Sequence, residues 1–384
     1  MRLAVYADFG YRRGEGRLWA EMPVVLFIGG LVGHFASVTL IGRLDPRPGR
    51  WHHPVPAGVA FAPLPHYPAL SRPVGLLRAA ARSLVHFWRV LDDVDSVWLF
   101  GPHPLVVGFA ALAALRRRRV VLGVRQDFPA YVRARHPRRR ALQLAAELLE
   151  RSHRLLAAAC PTVVVGPDLS MRYRRARRLC QVTISLVPEA DIAGPEVSAR
   201  RRWDGELRLL SVGRLDAEKN PLLLADILAL LVARDRRWRM IVCGEGTLAA
   251  ALAERLRELG LGGRAELRGY VPLDGGLCDL YRSSHAFVHC SWTEGVPQVL
   301  QEAFAARLPV VATAVGGVAD AVGDAALLVP PGDAEAAARQ LMRIAGDVGL
   351  RDALAEAGAR RARERSLEAE ARRVARFISG AHSG

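Results

Sequence analysis

Short apolar segments alternate with longer amphipathic stretches along most of the chain. Short apolar runs predict buried strands, and apolar positions spaced three and four apart predict helices. The strands predicted in the first half are Leu3–Ala7, Ser37–Ile41, Ser96–Phe100, Val120–Val124, Thr162–Val165 and Val182–Val187, and the helices are Pro73–Leu91, Pro104–Leu115 and Arg139–Arg151. The strands predicted in the second half are Leu207–Val212, Arg239–Cys243, Ala265–Arg268, Ala286–His289, Pro309–Thr313 and Ala326–Val329. This rhythm is typical of α/β proteins with parallel sheets.

A polar, proline-bearing stretch between the two halves predicts a linker. We expect an N-terminal domain over residues 1–188, a linker over 189–205 and a second domain over 206–349. Residues 350–384 predict a charged helical segment that packs back toward the first domain. Two doubly wound domains in this order would face a central cleft, where ligands meet the carboxyl ends of both sheets.

The charge of the chain lies almost entirely in the first half. The whole chain of 384 residues has a formal net charge of +16, and residues 1–200 hold 29 basic and 14 acidic residues. Arginines cluster at 116–119, 138–140 and 172–178. Such a half is attracted to anionic partners: acidic lipid, a phosphorylated substrate or nucleic acid. No pattern typical of nucleic-acid binding accompanies these runs, so no nucleic acid is expected.

Cysteine usage and hydropathy favour a cytoplasmic protein. The five cysteines are scattered and form no CxxC pair, which argues against a disulfide framework or a zinc site. The uncharged stretch Met22–Gly42 is long enough to cross a bilayer. Because prolines, glycines and polar residues interrupt it, it favours a buried helix to about His34 followed by a strand.

The segment Ser291–Glu302 carries the strongest chemical signal. Pro297 suits the first turn of a helix, and Gly295 allows close approach of a ligand just before it. The free amides at such a helix start favour a diphosphate. Glu294 and Glu302 lie eight residues apart, about two turns along one side of the helix. They predict two carboxylates that accept hydrogen bonds from two hydroxyl-bearing rings.

Other motifs occur at fixed intervals around this segment. They are Gly213-Arg214, the single lysine Lys219, Gly244-Glu245-Gly246, Gly269-Tyr270-Val271 and Thr313–Gly317. In this order, residues 207–345 resemble the C-terminal domain of retaining glycosyltransferases with the GT-B fold, the large E-x7-E family of group 1 (family 4) type. Before residue 207 the resemblance holds only at the level of topology.

The resemblance implies a role for each matching residue. Arg214 and Lys219 would neutralise the diphosphate of a nucleotide diphosphosugar, Glu294 would hold hydroxyls of the donor sugar, and Glu302 would bind the ribose. The backbone near Tyr270 and Val271 would receive the base. The full donor-binding set implied is Gly14, Gly16, Gly213, Arg214, Lys219, Gly244, Tyr270, Val271, Glu294, Gly295, Val296, Pro297, Gln298 and Glu302.

The first half departs from the family pattern. Family members often carry a histidine there that faces the anomeric carbon, but the matching stretch offers Arg125, and His103 is the nearest histidine. Either residue could take that place, or His103 could make only a structural hydrogen bond. Residues 10–17, which include Gly14 and Gly16, resemble a glycine loop that meets donor phosphate and acceptor, although their arginines could equally be a solvated charge run. The candidates on the acceptor side are Arg12, Arg13, Arg125 and Asp127.

Together these features imply a retaining glycosyltransferase with Arg214, Lys219, Glu294 and His103 as catalytic candidates. It would move a hexose from a UDP- or GDP-sugar to a lipid-linked or cell-envelope glycan acceptor, at the inner face of a membrane. Because fixed cationic groups can stabilise the leaving diphosphate, no metal or other cofactor is expected. The alternatives are a soluble natural-product or small-metabolite acceptor, and a non-catalytic protein that binds anionic surfaces.

Overall fold

The chain divides into two compact units. The computed structural model describes residues 1–49, 51–66, 73–136 and 138–380, with the side chains of 73–77, 134 and 274 excepted. The first unit runs from Met1 to Leu186 and takes in the chain from Leu367 onward, and the second unit is Val187–Ser366.

The first unit is built on a mostly parallel sheet. Its strands are β1 (Arg2–Gly14), β2 (Arg17–Ala20), β3 (Ser37–Asp45), β4 (His53–Pro54), β5 (Val59–Leu64), β6 (Ser96–Gly101), β7 (Arg119–Val124), β8 (Pro161–Val165) and β9 (Arg178–Val182). Its helices up to the unit boundary are α1 (Val24–Gly29), α2 (Pro73–Val90), α3 (Pro104–Leu115), α4 (Phe128–Arg135), α5 (Arg140–Ala159) and α6 (Pro167–Arg172). The parallel strands are ordered β5-β3-β1-β6-β7-β8-β9, while β2 pairs antiparallel with β1 and β4 with β2.

The predicted glycine loop is a β-hairpin. Strand β1 continues to Gly14, turns through Glu15 and Gly16 at φ 53° and 71°, and returns as β2. Two consecutive residues at positive φ form the hairpin turn that matches the twist of the strands. The predicted loop over residues 10–17 is therefore a paired hairpin, and its contact with donor phosphate and acceptor stays a prediction.

The stretch Met22–Gly42 contains a short helix and a strand, as predicted. Helix α1 has six residues, a short 3-10 turn follows at Val32–His34, and β3 begins at Ser37. No helix within the described residues is both long enough and apolar enough to span a bilayer.

The second unit is a six-stranded parallel sheet. Its strands are β10 (Leu207–Val212), β11 (Trp238–Cys243), β12 (Ala265–Leu267), β13 (Ala286–His289), β14 (Val310–Thr313) and β15 (Ala326–Val329). Its helices are α7 (Pro195–Ala199), α8 (Leu222–Arg234), α9 (Ala249–Glu258), α10 (Cys278–Ser283), α11 (Gln298–Ala305), α12 (Val318–Val322), α13 (Ala334–Gly346) and α14 (Val348–Glu364). The strand order in this sheet is β12-β11-β10-β13-β14-β15. Strands β11 and β12 are added on one side of β10, and the strands from β13 onward are added on its other side. In such sheets ligands bind at the carboxyl ends of the strands on either side of this switch point.

Each sheet is covered on both faces. In β1 the side chains of Leu3 and Val5 enter one apolar cluster, and those of Ala4 and Tyr6 enter another. Because successive side chains of a strand point to opposite faces, this alternation shows cores above and below the sheet. Uninterrupted apolar strands are typical of such doubly wound sheets.

The unit boundaries differ from the predicted ones at both ends of the second unit. The stretch predicted as a linker belongs to the second unit, where the Arg201 guanidinium donates to the carbonyls of Ala306 and Arg307 at the end of α11 (2.5 and 2.6 Å). The predicted helical tail is divided between the units. Helix α14 packs on α11, whereas the last helix, α15 (Leu367–Ser379), places Val374 and Ile378 in the core of the first unit.

Candidate functional site

A cavity of about 180 Å³ lies at the switch point of the second sheet. Its walls come from the chain after β10, from the chain after β13 and from the start of α11. The lining residues include Gly213, Arg214, Lys219, Ser291, Pro297 and Gln298. The cavity therefore occupies the position where ligands bind in open parallel sheets.

Two glycines allow the loops beside this cavity to touch backbone to backbone. A Cβ on Gly244, whose φ is 140°, would stand 1.8 Å from the carbonyl oxygen of Gly213. A Cβ on Gly246 would lie 2.4 Å from the carbonyl carbon of Leu215. No side chain fits in either place, so the loops after β10 and β11 require glycine here.

Glu294 is held by three side chains. Its Oε1 accepts hydrogen bonds from Lys219 Nζ (2.5 Å), Ser291 Oγ (2.6 Å) and His289 Nε2 (3.0 Å). Burial of Glu294 opposes its ionisation, but the hydrogen bond from His289 and the positive charge of Lys219 outweigh burial. The pKa of the carboxyl consequently falls to about 2. Glu294 is therefore a fixed anion over the physiological pH range.

The second oxygen of this carboxylate can still accept hydrogen bonds. Within the described residues Oε2 of Glu294 has no hydrogen-bond partner, and the backbone that carries it is fixed by the loop after β14. A Cβ on Gly316 would stand 2.0 Å from the carbonyl oxygen of Glu294. A carboxylate with one oxygen bound by protein and one left over is well placed to bind a hydroxyl group.

Helix α11 begins at the cavity without a side-chain cap. Pro297 is the N-cap residue, no side chain accepts a hydrogen bond from the first turn, and Gln298 and Val299 line the cavity. Unpaired amides at a helix start attract anions. Together with Lys219, they make this end of the cavity suitable for a phosphate group.

Glu302 lies further along α11 and is bound differently. The Tyr281 hydroxyl donates to its Oε2 at 2.8 Å. Burial raises the pKa of Glu302, and the hydrogen bond from Tyr281 opposes that shift. The structure therefore separates the two glutamates of the motif, because Glu294 is bound by residues that line the cavity whereas Glu302 is held beside α10.

Arg214 lines the cavity, but its guanidinium is bound on the outer side of the loop. It donates to Asp216 (2.7 Å) and Glu218 (2.6 Å), and 64% of its side chain is exposed. Asp216 also accepts hydrogen bonds from the backbone and hydroxyl of Thr247, and these bonds lower its pKa. Arg214 is thus less firmly placed toward a ligand than Lys219, and its predicted role stays a prediction.

The remaining donor-side candidates line the same edge of the sheet. Tyr270 is exposed, its backbone amide points at Glu245 Oε1 (3.5 Å), and Val271 is half-buried. Val296 is also half-buried. Gly295 is exposed, and a Cβ there would meet no protein atom within 4 Å. No protein contact therefore requires glycine at position 295, and only a bound ligand could make a side chain there unfavourable.

In the first unit His103 is engaged by protein groups on both ring nitrogens. Its Nδ1 accepts from the amide of Leu105 (3.3 Å) and lies 3.0 Å from the Tyr6 hydroxyl, while Nε2 lies 3.2 Å from Asp8 Oδ2. Because Nδ1 accepts, the ring proton lies on Nε2 and points at Asp8. Burial lowers the pKa of His103 although Asp8 opposes this. His103 thus caps α3, the structural alternative considered above.

Arg125 is the more available of the two candidates for the place of the family histidine. It lies over the ring of Phe9 at 4.7 Å and forms no ion pair with any described residue. Burial lowers the pKa of its guanidinium to about 10. A partly buried cation of this kind favours an anionic ligand.

The other acceptor-side candidates have structural partners or face solvent. Arg12 donates to Asp45 (2.6 Å) and lies over the ring of Trp51, and Arg13 is exposed on the hairpin. Asp127 caps α4 by accepting from Ala130 and forms an ion pair with Arg172 (2.6 Å). The contacts of Asp127 account for its presence without a ligand.

Sequence reasoning missed His289 and Ser291. Both are buried at the end of β13, and both donate to Glu294. The available signal was their position, since polar residues that directly follow a buried parallel strand lie at the ligand-binding edge of the sheet.

Comparison with known proteins links this site to one family. Residues 196–361 match the family described as glycosyl transferases group 1. The chain is 32% identical over 186 residues to mannosylfructose-phosphate synthase of Agrobacterium fabrum, covering 46% of this chain and 40% of that protein. It is 31% identical over 172 residues to O-antigen chain mannosyltransferase B of Escherichia coli, covering 43% of each chain. The chain thus spans less than half the length of these curated relatives.

The fold extends the similarity over the whole chain. The crystal structure of Anabaena Alr3699/HepE in complex with UDP superposes with a TM-score of 0.72 over 99% of this chain and 100% of that chain, at 17% identity. At this identity the likeness concerns the fold alone.

Proposed function

We propose that this chain transfers a hexose from a nucleotide diphosphosugar, because residues 196–361 match the group 1 glycosyl transferases and the chain has the GT-B fold. The anomeric configuration would be retained. The acceptor is a lipid-linked or cell-envelope glycan, and no metal takes part. The observation that carries this proposal is one cavity lined by Lys219, which is hydrogen-bonded to Glu294, and by the uncapped start of α11.

Each part of this cavity has a task in the transfer. The bond between the anomeric carbon and the diphosphate oxygen breaks, and its electron pair stays with the diphosphate. The amides of α11 and the Lys219 ammonium stabilise the charge that develops there. Oε2 of Glu294 accepts a hydrogen bond from a sugar hydroxyl and orients the ring. The acceptor hydroxyl then bonds to the anomeric carbon on the same face, and its proton passes to an oxygen of the departing diphosphate.

Glu302 and the loop after β12 complete the donor site in this proposal. Glu302 binds the ribose hydroxyls, and the backbone around Tyr270 and Val271 receives the base. In the first unit, Arg125 offers a cation for an anionic acceptor group, such as the phosphate of a lipid carrier. This assignment rests on its lack of an ion pair among the described residues and on its burial.

A thermal-shift screen tests the donor. UDP, GDP and dTDP, each with and without a sugar, should raise the melting temperature only when they bind the folded state. The variant Lys219→Met should lose the shift, whereas Arg234→Met, at an exposed position on α8, should keep it. If no nucleotide raises the melting temperature of the wild type, the transferase proposal fails.

The acceptor is tested by transfer of a radiolabelled sugar. Wild type is offered the identified donor with lipid-linked glycan precursors or with small phosphorylated sugars, and the anomeric configuration of the product is read by NMR. The name of the Agrobacterium relative favours a soluble phosphorylated acceptor as the second candidate. Transfer to the soluble acceptors alone would reject the envelope assignment, and an inverted product would reject retention.

A further inference from the structure

Helix α5 in the first unit exposes three leucines along one side, whereas its Leu149 and Leu156 are half-buried. Leu144, Leu148 and Leu155 are 62%, 52% and 75% exposed. The spacing of these leucines, four and seven residues apart, puts them in one stripe along the helix. An exposed apolar stripe of this kind on a soluble domain marks an interaction surface.

The inward face of the same helix carries small and polar residues instead. Ala146, Glu150, His153 and Ala157 are the buried positions of α5. Leu156 packs against the core of the first unit, but Leu144, Leu148 and Leu155 take no part in that packing. In their present position the three leucines add no buried apolar surface to the unit, whereas they would do so on the inward face of the helix. A partner outside the unit therefore accounts for their position better than the fold does.

Arginines border the leucine stripe on one side. At 100° per residue Arg140, Arg151 and Arg154 fall on the flank next to Leu144 and Leu148, and all three arginines are exposed. None of them forms an ion pair with a described residue. Glu147 lies on the same flank and pairs with Arg133 of α4. The α5 face, defined here as these three leucines and three arginines, thus combines an apolar stripe with a net positive charge.

We propose that the α5 face binds an anionic lipid bilayer, with α5 lying in the plane of the interface. Helix α5 has 20 residues and is therefore about 30 Å long. Leucines on one face and arginines beside them are the pattern by which interfacial helices enter the headgroup region. The neighbouring helix α4 is joined to α5 by the ion pair Arg133–Glu147 and exposes Tyr131 (46%), which suits the same interface.

Charge argues against the other occupants of this face. A second copy of the chain would bring another set of the same arginines against the first. Nucleic acid would meet the arginines but leave the leucines in water. An acidic lipid surface satisfies both, because its headgroups pair with arginine and its acyl region accepts leucine.

Vesicle flotation tests the proposal without donor or acceptor, so its failure would leave the glycosyl-transfer proposal standing. Wild type is mixed with phosphatidylcholine vesicles, or with vesicles of equal parts phosphatidylcholine and phosphatidylglycerol. We expect binding to the anionic vesicles at low salt. It should weaken strongly between about 0.1 M and 1 M NaCl, where the Debye length falls from about 10 Å to about 3 Å.

Three variants separate the contributions. Leu144→Gln/Leu148→Gln/Leu155→Gln should weaken partition at least about ten-fold, because each leucine loses its burial in lipid. Arg140→Gln/Arg151→Gln/Arg154→Gln should weaken it by up to about five-fold per arginine at low salt. The control replaces the same number of exposed arginines in the second unit, Arg234→Gln/Arg236→Gln/Arg343→Gln, and should bind like wild type.

Three results would overturn the proposal. Wild type could stay unbound by anionic vesicles at low salt. The control variant could lose binding as much as the α5 variants, which would reduce the effect to overall charge. Sedimentation equilibrium could instead show a dimer that only the leucine variant disrupts, which would assign the α5 face to a second copy of the chain. Circular dichroism melting of each variant confirms that these exposed substitutions leave the fold intact.

Discussion

Replacement of Lys219 by methionine should destabilise the second unit as well as impair transfer. The Lys219 ammonium lies 2.5 Å from Glu294 Oε1, and only 8% of the glutamate side chain is exposed. Methionine keeps the length of the side chain and removes its charge. A buried carboxylate would then remain without its cation, which is among the costliest single changes in a folded protein.

The pKa of Glu294 gives the magnitude. It falls from an ordinary value of 4.5 to about 2 in the folded chain. At about 1.4 kcal/mol per tenfold change in proton affinity, this corresponds to about 3 kcal/mol of stability. Because the folded pKa is the lower one, the contribution is present above the unfolded value and is lost as the pH falls from 4.5 to about 2. The hydrogen bond from His289 remains when Lys219 is replaced, so the part of this contribution that Lys219 supplies should disappear at neutral pH.

Urea unfolding of the second unit measures this loss. Hydrogen exchange of peptides from β13 and α11 reports on the unit itself, and we expect Lys219→Met to lower its free energy of unfolding by about 1–3 kcal/mol at neutral pH. The dependence on pH in the acid range should flatten at the same time. Arg214→Met is the matched control and should cost less than about 1 kcal/mol, because its ion pairs are exposed.

A double-mutant cycle with Glu294→Gln decides whether the reasoning is right. In that background Lys219→Met should cost much less, since no buried charge is left to neutralise. The reasoning is refuted if Lys219→Met unfolds at the same urea concentration as wild type. An equal loss in both backgrounds would also refute it, because the lysine would then stabilise the unit without acting on Glu294.

The other predictions concern ligands, packing and metal. Glu302→Gln should weaken binding of the nucleotide and of the nucleotide-sugar equally, whereas Glu294→Gln should weaken the nucleotide-sugar more; calorimetry that gives equal losses in both variants would contradict their separate roles. Gly244→Ala should abolish nucleotide binding and lower the melting temperature, because the new Cβ would stand 1.8 Å from the Gly213 oxygen; unchanged nucleotide affinity would mean that the loop can move aside. Transfer should survive EDTA, since fixed cationic groups stabilise the leaving diphosphate; a strict requirement for a divalent ion would show that the proposed mechanism is incomplete.

The second unit was the easier half to predict. Its strands β10, β13 and β15 begin and end at the predicted residues, and the other strands agree within one residue. The reason is that a strand buried on both faces must be apolar throughout, and this leaves a clear signal. The loops between the strands carry the glycines and glutamates at regular intervals, so the family could be identified from the sequence.

The first unit was harder because three of its strands carry no clear apolar signal. Strands β2, β4 and β5 were not predicted, since β2 and β4 are short and β5 contains Pro63. Strand β9 lies four residues before its predicted start. The hairpin at Gly14–Arg17 consists of residues that are also found in phosphate loops. Local sequence does not distinguish these two structures, because both need glycine at positive φ.

The sequence by itself determined the order of strands and helices, the position of the E-x7-E segment and the uneven charge, because each depends on residues that are close in the chain. Tertiary structure decided which of these residues meet. Lys219 and Glu294 are 75 positions apart and touch because β10 and β13 are neighbours in the sheet. In the folded chain Arg214 is paired with Asp216 and Glu218, and His103 caps α3. Three leucines of α5 remain exposed. Parallel sheets join distant segments through crossover helices, so the contacts of their sites become visible only in the folded chain.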